Sequence, residues 1–415
     1  MSDRKGNHED NPKELEPEFT VEDNTEDFLE DLKKSLSTQV NETIQAEGAA
    51  SYNNNDPKIN KIPDKEDKKK GINKVIKYAV LPILIILSIV FFLINTETGR
   101  NLVIRMISNY SYSKLDYEAV QEPVDTMEPG EKPVIDTTDN IGQKPTEDKT
   151  VSNILLVGVE TFGGAQNTDT MIIASLDSKN NVIKLTSLMR DLYVQIPGYR
   201  DNKLNSAYGN GGINLLYNTI KTNFGVTLDG YVLVDFDDFE EIIDYIGGID
   251  IELTAKEAQY LRTTNYISNP SYRNVRAGVQ HMNGNQVLGY CRIRKVPTAT
   301  ENSDFGRTQR QRIVLEKIFE KLRKKNVIQL GMIMNNILSN IDIKTDITKN
   351  EYNEYLQQAV YLERNELETF RIPKDGTYYS ESVRIGRYKQ DVLVPNSWEA
   401  TRSMLHDFIY GEGRE

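Results

Sequence analysis

Asp304 to Arg312 reads DFGRTQRQR: three arginines, two glutamines and one acid within nine residues. Just upstream, YCRIRK contributes Arg292 and Arg294. Between Arg292 and Lys325, eleven Lys/Arg stand against four Asp/Glu, a local +7 in a chain of formal net charge −12. Guanidinium groups stay charged and can give two parallel N–H bonds to one phosphate, so this patch suits a phosphorylated ligand better than a carboxylate sugar. Written as a helix, residues 307–325 bring Leu315, Ile318 and Leu322 within about 60° of one another. That stripe is expected to face the core, and its continuation backwards meets Gln311 and Arg307. A charged side chain on a buried stripe needs a partner. Either a structural carboxylate or an anion drawn to the helix N-terminus would serve. Ser303 or Asp304 is suited to cap this end. Arg310 and Arg312 point away from the stripe centre; Arg310 is expected to assist from the rim and Arg312 to be solvated. Arg292 and Arg294 alternate as in a strand, which lets both face one side.

Other chemistries are poorly supplied. The single cysteine, Cys291, excludes an internal disulfide and a CxxC centre, and reads as a small buried residue. His8, His281 and His406 are far apart and no HExxH occurs, which argues against a histidine zinc site. The acidic balance excludes a general nucleic-acid binder. YGNGGINLL lacks the GxxxxGK[ST] pattern, so its glycines read as turn and helix-start residues. Asp169, at a strand start, is either a turn cap or a ligand-holding acid. Arg190–Asp191 is either a surface ion pair or part of a site.

These residues sit in the last two thirds of the 415-residue chain. Residues 1–74 read as a disordered tail with 18 Asp/Glu against 12 Lys/Arg, in which DFLEDLKKSL spaces its apolar residues like a weak helix face. Tyr78–Ile94 is seventeen residues without a charge, about 26 Å as a helix, and reads as the heart of a transmembrane helix over 75–95. Eight lysines precede it between Lys58 and Lys77, which predicts a cytoplasmic N-terminus and an extracellular remainder. Residues 96–150, punctuated by Pro123, Pro129, Pro133 and Pro145, are expected to form a polar stalk. From 151 to 410 strands and helices alternate: strands at 153–159, 170–176, 181–188, 231–236 and 249–253, helices at 213–224, 307–325, 328–338, 348–361 and 397–410. The Gly247–Gly248 pair should stop a helix over DFEEIIDYI. The expected fold is α/β, a mixed central sheet flanked by helices.

The blocks NILLVGVE, NTDTMIIASLD, SLMRDLYVQIPG, KLNSAYGNGG, YVLVDFDDFEEIIDYIGGIDI, AGVQHMNGNQVLGYCRIRK and DFGRTQRQR, in this order, resemble the LytR-CpsA-Psr family from about Ser152 to Pro395. The resemblance implies transfer of a glycopolymer from a polyprenyl-diphosphate carrier onto peptidoglycan, at the outer face of the membrane. It implies that Arg190, Arg292, Arg294, Arg307 and Gln311 grip the diphosphate, with Arg310 assisting, and that Asp169, with Glu160 at the family's upstream acidic position, holds Mg²⁺. Asp169, Arg190 and Arg307 would be catalytic. The base is Asp169 or Asp191. An apolar groove for the prenyl tail is expected among NILLVGV, TMIIASL, INLLYNTI and FEEIIDYI. The chain departs from the family pattern at Glu160 (usually Asp), at Phe162 and Gln166–Asn167 (usually including arginine) and at Met189 (usually Pro). Teichoic acid, capsule and secondary wall polysaccharide all fit as the polymer. A polyprenyl-diphosphate hydrolase and a non-catalytic envelope or transcription-attenuator protein are the alternatives.

Overall fold

The structure, a computed structural model, describes residues 95–121, 150–162, 165–361 and 367–411. Along the chain run helix α1 (Glu97–Tyr112), strands β1 (Asp116–Tyr117), β2 (Val151–Phe162), β3 (Ala165–Asp177), β4 (Val182–Leu188), β5 (Tyr193–Val194) and β6 (Asn202–Lys203), helix α2 (Leu204–Phe224), β7 (Gly230–Asp235), α3 (Phe236–Tyr245), β8 (Ile249–Leu253) and α4 (Ala255–Thr263). Beyond a 3-10 turn at Pro270–Tyr272 come β9 (Gly278–Met282), α5 (Gly284–Cys291), α6 (Ser303–Leu322), α7 (Val327–Asn340), β10 (Lys344–Thr345), α8 (Lys349–Tyr361), β11 (Leu367–Ile372), β12 (Tyr378–Ile385), β13 (Tyr388–Pro395) and α9 (Trp398–Tyr410).

Seven strands form one sheet in the order β1-β10-β7-β2-β3-β4-β11. The β2–β3 and β3–β4 pairs are antiparallel, while β2–β7 and β4–β11 are parallel, so the sheet is mixed as expected. Its central strands are apolar almost throughout because both faces are covered. With a period of two, Leu155, Val157 and Val159 enter a core shared with α2 and α9, whereas Leu156 turns to the opposite face beside Ile172 and Leu315. A second core joins α3, α5, α6 and α7 with the antiparallel β8–β9 pair. Each fully buried Leu, Ile or Val in these cores contributes roughly 1.5–3 kcal/mol relative to exposure. In α2 the helix is broken at Gly211–Gly212, where Gly212 takes φ +63, and restarts at Ile213, as a turn-and-start reading of those glycines requires.

Three local expectations change. Among the described residues the 249–253 strand pairs with β9, outside the main sheet. Arg292 and Arg294 are not on a strand: Arg292 caps the C-terminus of α5 and Arg294 lies in the following loop. Residues 97–121, expected as stalk, belong to the folded domain. Ile104, Ser108 and Ser111 are buried on one face of α1, Ser111 Oγ bonds the Tyr352 hydroxyl at 3.0 Å, and β1 pairs with β10. Serines on the buried face hid that helix from a search for apolar periodicity. The acidic tail, its short helical pattern, the run Tyr78–Ile94 and residues 122–149 lie outside the described residues. Among those described, no helix is long and apolar enough to cross a membrane.

Candidate active site

Asp169 owes its position to a bulge. The β2–β3 register pairs Gly158 with Thr170 and Val159 with Thr168, leaving Asp169 as the extra residue on β3. A bulge re-aims a side chain that regular alternation would direct elsewhere. Thr168 helps hold it: its Oγ1 lies 3.1 Å from both the Gly158 and Thr170 carbonyl oxygens. Gly158 leaves the room, since a Cβ there would meet Thr170 Cβ at 3.0 Å.

Three guanidinium groups close on Asp169. Arg190 Nη1 donates to Oδ1 at 2.6 Å and Arg294 Nη2 to Oδ2 at 2.9 Å. Arg307 Nη1 lies 2.8 Å from Oδ2. Asp304, in the first turn of α6, faces the same three arginines: Arg190 at 3.1 Å, Arg294 at 3.2 Å and Arg307 at 3.4 Å. The result is two carboxylates interleaved with three arginines. Arg190 is carried by the turn after β4, where the Met189 N–H donates to Ile372 O at 2.9 Å. Asp191 accepts from Lys203 Nζ at 2.8 Å. Arg292 donates to Glu160 Oε1 at 2.8 Å and stands over the rings of Phe236 and Tyr266, contacts that fix its plane.

Burial opposes charge here and the arginines outweigh it. Burial would raise the Asp169 carboxyl, but Arg307, Arg190 and Arg294 hold it below the usual carboxylate range. Asp304 is lowered likewise: burial raises it, and Arg307, Arg190 and Arg294 prevail. Burial lowers Arg307, with Arg294 and Arg190 adding to the effect against Asp169 and Asp304. It remains charged nonetheless, as arginine does in proteins. Arg307 Nε and Nη1 are buried and make no contact of hydrogen-bond geometry, although both carboxylates are near. Held by charge rather than by formed hydrogen bonds, these N–H groups can also serve the oxygens of an anion.

Part of this cluster borders a cavity of about 460 Å³, whereas Arg190 and Asp304 stand behind its lining. Glu160, Asp169, Arg292, Arg294, Arg307 and Gln311 line it together with apolar side chains of β2, β3, β7, α3, α5 and α6. Leu156, Ile172, Val232, Val234, Leu315 and Ile318 represent that apolar wall. The stripe Leu315, Ile318 and Leu322 packs against the core as expected, and Leu315 and Ile318 border the cavity as well. NILLVGV, TMIIASL and FEEIIDYI contribute to the lining as expected; INLLYNTI packs in the core on the other side of the sheet. Cys291 also lines it, and burial pushes its thiol up to about 12, which leaves it unreactive as a nucleophile.

The structure gathers Glu160, Asp169, Arg190, Arg292, Arg294, Arg307 and Gln311 into one region. Arg310 is the exception among the expected ligands. Its side chain is 0 % exposed. It donates to Glu257 Oε1 at 2.8 Å and to the carbonyls of Ile293 and Val296 at 3.1 and 2.7 Å. Three residues beyond Arg307, it has turned off the cavity stripe into the second core, where only a matched carboxylate and carbonyls make its charge tolerable. Arg312 is buried beside Glu301 rather than solvated. Neither Ser303 nor Asp304 caps α6: Asn302 is the N-cap residue, without a side-chain cap bond, and Asp304 serves the arginines. The only sequence hint was an acid three residues before Arg307. Phe162, Gln166 and Asn167 lie outside the described side chains. Among the described residues no group of three or more His, Cys, Asp or Glu gathers in a metal-binding cluster. Glu160 and Asp169 both line the cavity and carry oxygen donors of the kind magnesium takes, each paired with arginine in this structure.

A model of the LytR_cpsA_psr family matches residues 107–394. TagV of Bacillus subtilis (strain 168), a polyisoprenyl-teichoic acid–peptidoglycan teichoic acid transferase, is 29% identical over 204 residues, 48% of this chain and 50% of TagV. Regulatory protein MsrR of Staphylococcus aureus (strain COL) is 32% identical over 185 residues, 44% of this chain and 52% of MsrR. The chain spans about half the length of both curated relatives. In the solved structure of protein gbs0355 from Streptococcus agalactiae a similar fold covers 65% of this chain and 91% of that one, with a TM-score of 0.52 at 22% identity.

Proposed function

Because the chain belongs to the LytR-CpsA-Psr family, we infer that it transfers a glycopolymer from a polyprenyl-diphosphate carrier onto peptidoglycan. The observation that carries this reading is the cavity's division between two kinds of lining: arginines ion-paired to carboxylates, and a mostly apolar remainder in which Leu156, Ile172 and Leu315 cluster. A prenyl diphosphate has the same division. The activity in TagV's description supports the reading, and the run Tyr78–Ile94 supports an anchored protein working at the outer membrane face.

In the proposed reaction a sugar hydroxyl of peptidoglycan attacks the sugar-side phosphorus. A new P–O bond forms, the P–O bond to prenyl phosphate breaks, and its electron pair leaves with prenyl phosphate. The hydroxyl proton passes to a base or to water. Phosphoryl transfer needs positioning and charge neutralisation above all. Arg190, Arg294 and Arg307 are already oriented by Asp169 and Asp304, so little reorganisation is required when the diphosphate arrives. Arg292 and Gln311 extend the grip. Asp169, held ionised and low by three arginines, makes a weak base; its role in this reading is to orient arginines and, with Glu160, to hold Mg²⁺ against the phosphates. Bound there, the ion would offset charge on the leaving group.

The test is to incubate the full-length chain with peptidoglycan and a lipid-linked oligosaccharide labelled in its sugar. Label on peptidoglycan supports transfer. Release of free oligosaccharide phosphate would favour a hydrolase. Absence of turnover, with Arg307→Ala still complementing in cells, would sink both enzymatic readings in favour of a regulatory protein.

A further inference from the structure

Of nine large apolar side chains that stand exposed among the described residues, four fall between 97 and 117. Leu102, Met106 and Tyr110 are 48%, 65% and 53% exposed and follow one another at intervals of four, so they form a single stripe on α1. The opposite face is already used: Ile104, Ser108 and Ser111 are buried against the domain. Tyr112 packs its ring 5.9 Å from that of Tyr352, and Ile107 lies so close to Gly331 of α7 that a Cβ there would meet it at 2.6 Å. A helix docked by one face therefore offers a second apolar face that this domain does not cover.

The chain's own path indicates the occupant. The charge-free run Tyr78–Ile94 ends two residues before Thr96, the N-cap of α1. Thr96 is extended and its Oγ1 accepts from the Gly99 N–H at 3.0 Å, so α1 starts afresh there. Three residues from Ile94 to Glu97 reach at most about 10 Å. A helix that begins this close to the end of a bilayer-crossing segment lies within reach of the headgroup layer. Its charges agree: Glu97 is the sole acid in α1, Arg100 and Arg105 are basic, and Lys114 follows, with its Nζ 5.9 Å from the Tyr110 ring centre. Apolar residues with basic flanks and a tyrosine are the composition of helices that lie in a membrane interface.

We propose that α1 is an interfacial helix, its stripe Leu102–Met106–Tyr110 resting at the headgroup–acyl boundary of an anionic bilayer, with Arg105 and Lys114 facing the headgroups. The proposal rests on the reading that Tyr78–Ile94 spans that bilayer. It gives the domain a fixed seat on the surface from which a lipid-linked substrate must be lifted.

Photocrosslinking of the full-length chain in nanodiscs of equal phosphatidylglycerol and phosphatidylcholine tests it. Benzoylphenylalanine is placed at Met106, at Tyr110 as a second position should the first fail to fold, and at exposed Tyr388 as control. The expected result is a mass shift of one lipid on the peptide carrying position 106 or 110 and none at 388. A chain that co-elutes with discs but gives no lipid adduct at either position, or crosslinks to a second copy of itself there, overturns the interfacial helix and leaves the anchor standing. A chain that does not enter discs overturns the anchor reading, and the interfacial helix with it.

Discussion

Replacing Arg307 by alanine is expected to cost much in diphosphate binding and little in stability. The side chain is nearly buried, 3% exposed, and its Nη1 and Nε are ion-paired to Asp169 and Asp304 without hydrogen-bond geometry. Truncating one partner of a buried charged hydrogen bond costs a complex about 2–5 kcal/mol. At about 1.4 kcal/mol per tenfold, that is roughly 30- to 4000-fold in Kd. Stability follows a different count. Without Arg307, Asp169 keeps Arg190 at 2.6 Å and Arg294 at 2.9 Å. Asp304 keeps the same two at 3.1 and 3.2 Å. Neither carboxylate is orphaned, and the desolvation burden of a buried guanidinium is removed. The loss should therefore be on the order of 1 kcal/mol, well short of the roughly 3–5 kcal/mol for breaking an isolated buried pair. Calorimetric titration with farnesyl diphosphate gives the Kd, and urea unfolding gives the stability. An unchanged Kd accompanied by a stability loss of the larger size would refute this reasoning, since Arg307 would then be a structural residue only.

Arg310→Ala should behave in the opposite way: it strands Glu257 and two carbonyls in a dry core, so urea unfolding should show a loss of about 3–5 kcal/mol. Asp169 and Asp304 have lowered carboxyls, so their stabilisation is complete above the ordinary carboxylate value of about 3.9 and is lost as pH falls through their folded values. Asp169→Asn should accordingly flatten the dependence of stability on pH in the acid range, and an unchanged slope in urea titrations would contradict that. Leu315→Trp should narrow the apolar part of the cavity, weakening farnesyl diphosphate while leaving inorganic pyrophosphate affinity as it was. The Cys291 thiol, buried and pushed up to about 12, should resist a thiol-reactive dye at neutral pH until the chain is unfolded.

What could be read from the residues depended on periodicity. Arg307, Gln311 and Leu315 share a helical stripe at intervals of four, and the structure puts all three on one cavity. The same logic went wrong one step along: Arg310 leaves that stripe, and its direction alone could not reveal Glu257 and two carbonyls waiting inside the protein. Asp169 was marked by the family motif, yet its aim comes from a bulge between two strands, a pairing detail with no signal in a single strand. Arg292 and Arg294 reach the site from a helix end and a loop, although their spacing suggested a strand. That Leu315 and Ile318 border a cavity as well as the core was also hidden, because an apolar stripe looks the same in either setting. Helix α1 escaped for a related reason: its docked face carries Ser108 and Ser111, and its exposed face carries the apolar residues.

The central claim is that a phosphoryl group moves together with its sugar. It is tested most directly with a lipid-linked oligosaccharide carrying ³²P at the sugar-side phosphorus and ³H in the sugar, given to the full-length chain with peptidoglycan. The expected result is both labels on peptidoglycan in the ratio of the donor, with unlabelled prenyl phosphate released. Tritium on peptidoglycan without ³²P would mean that the sugar–oxygen bond is cleaved instead, and would contradict the account.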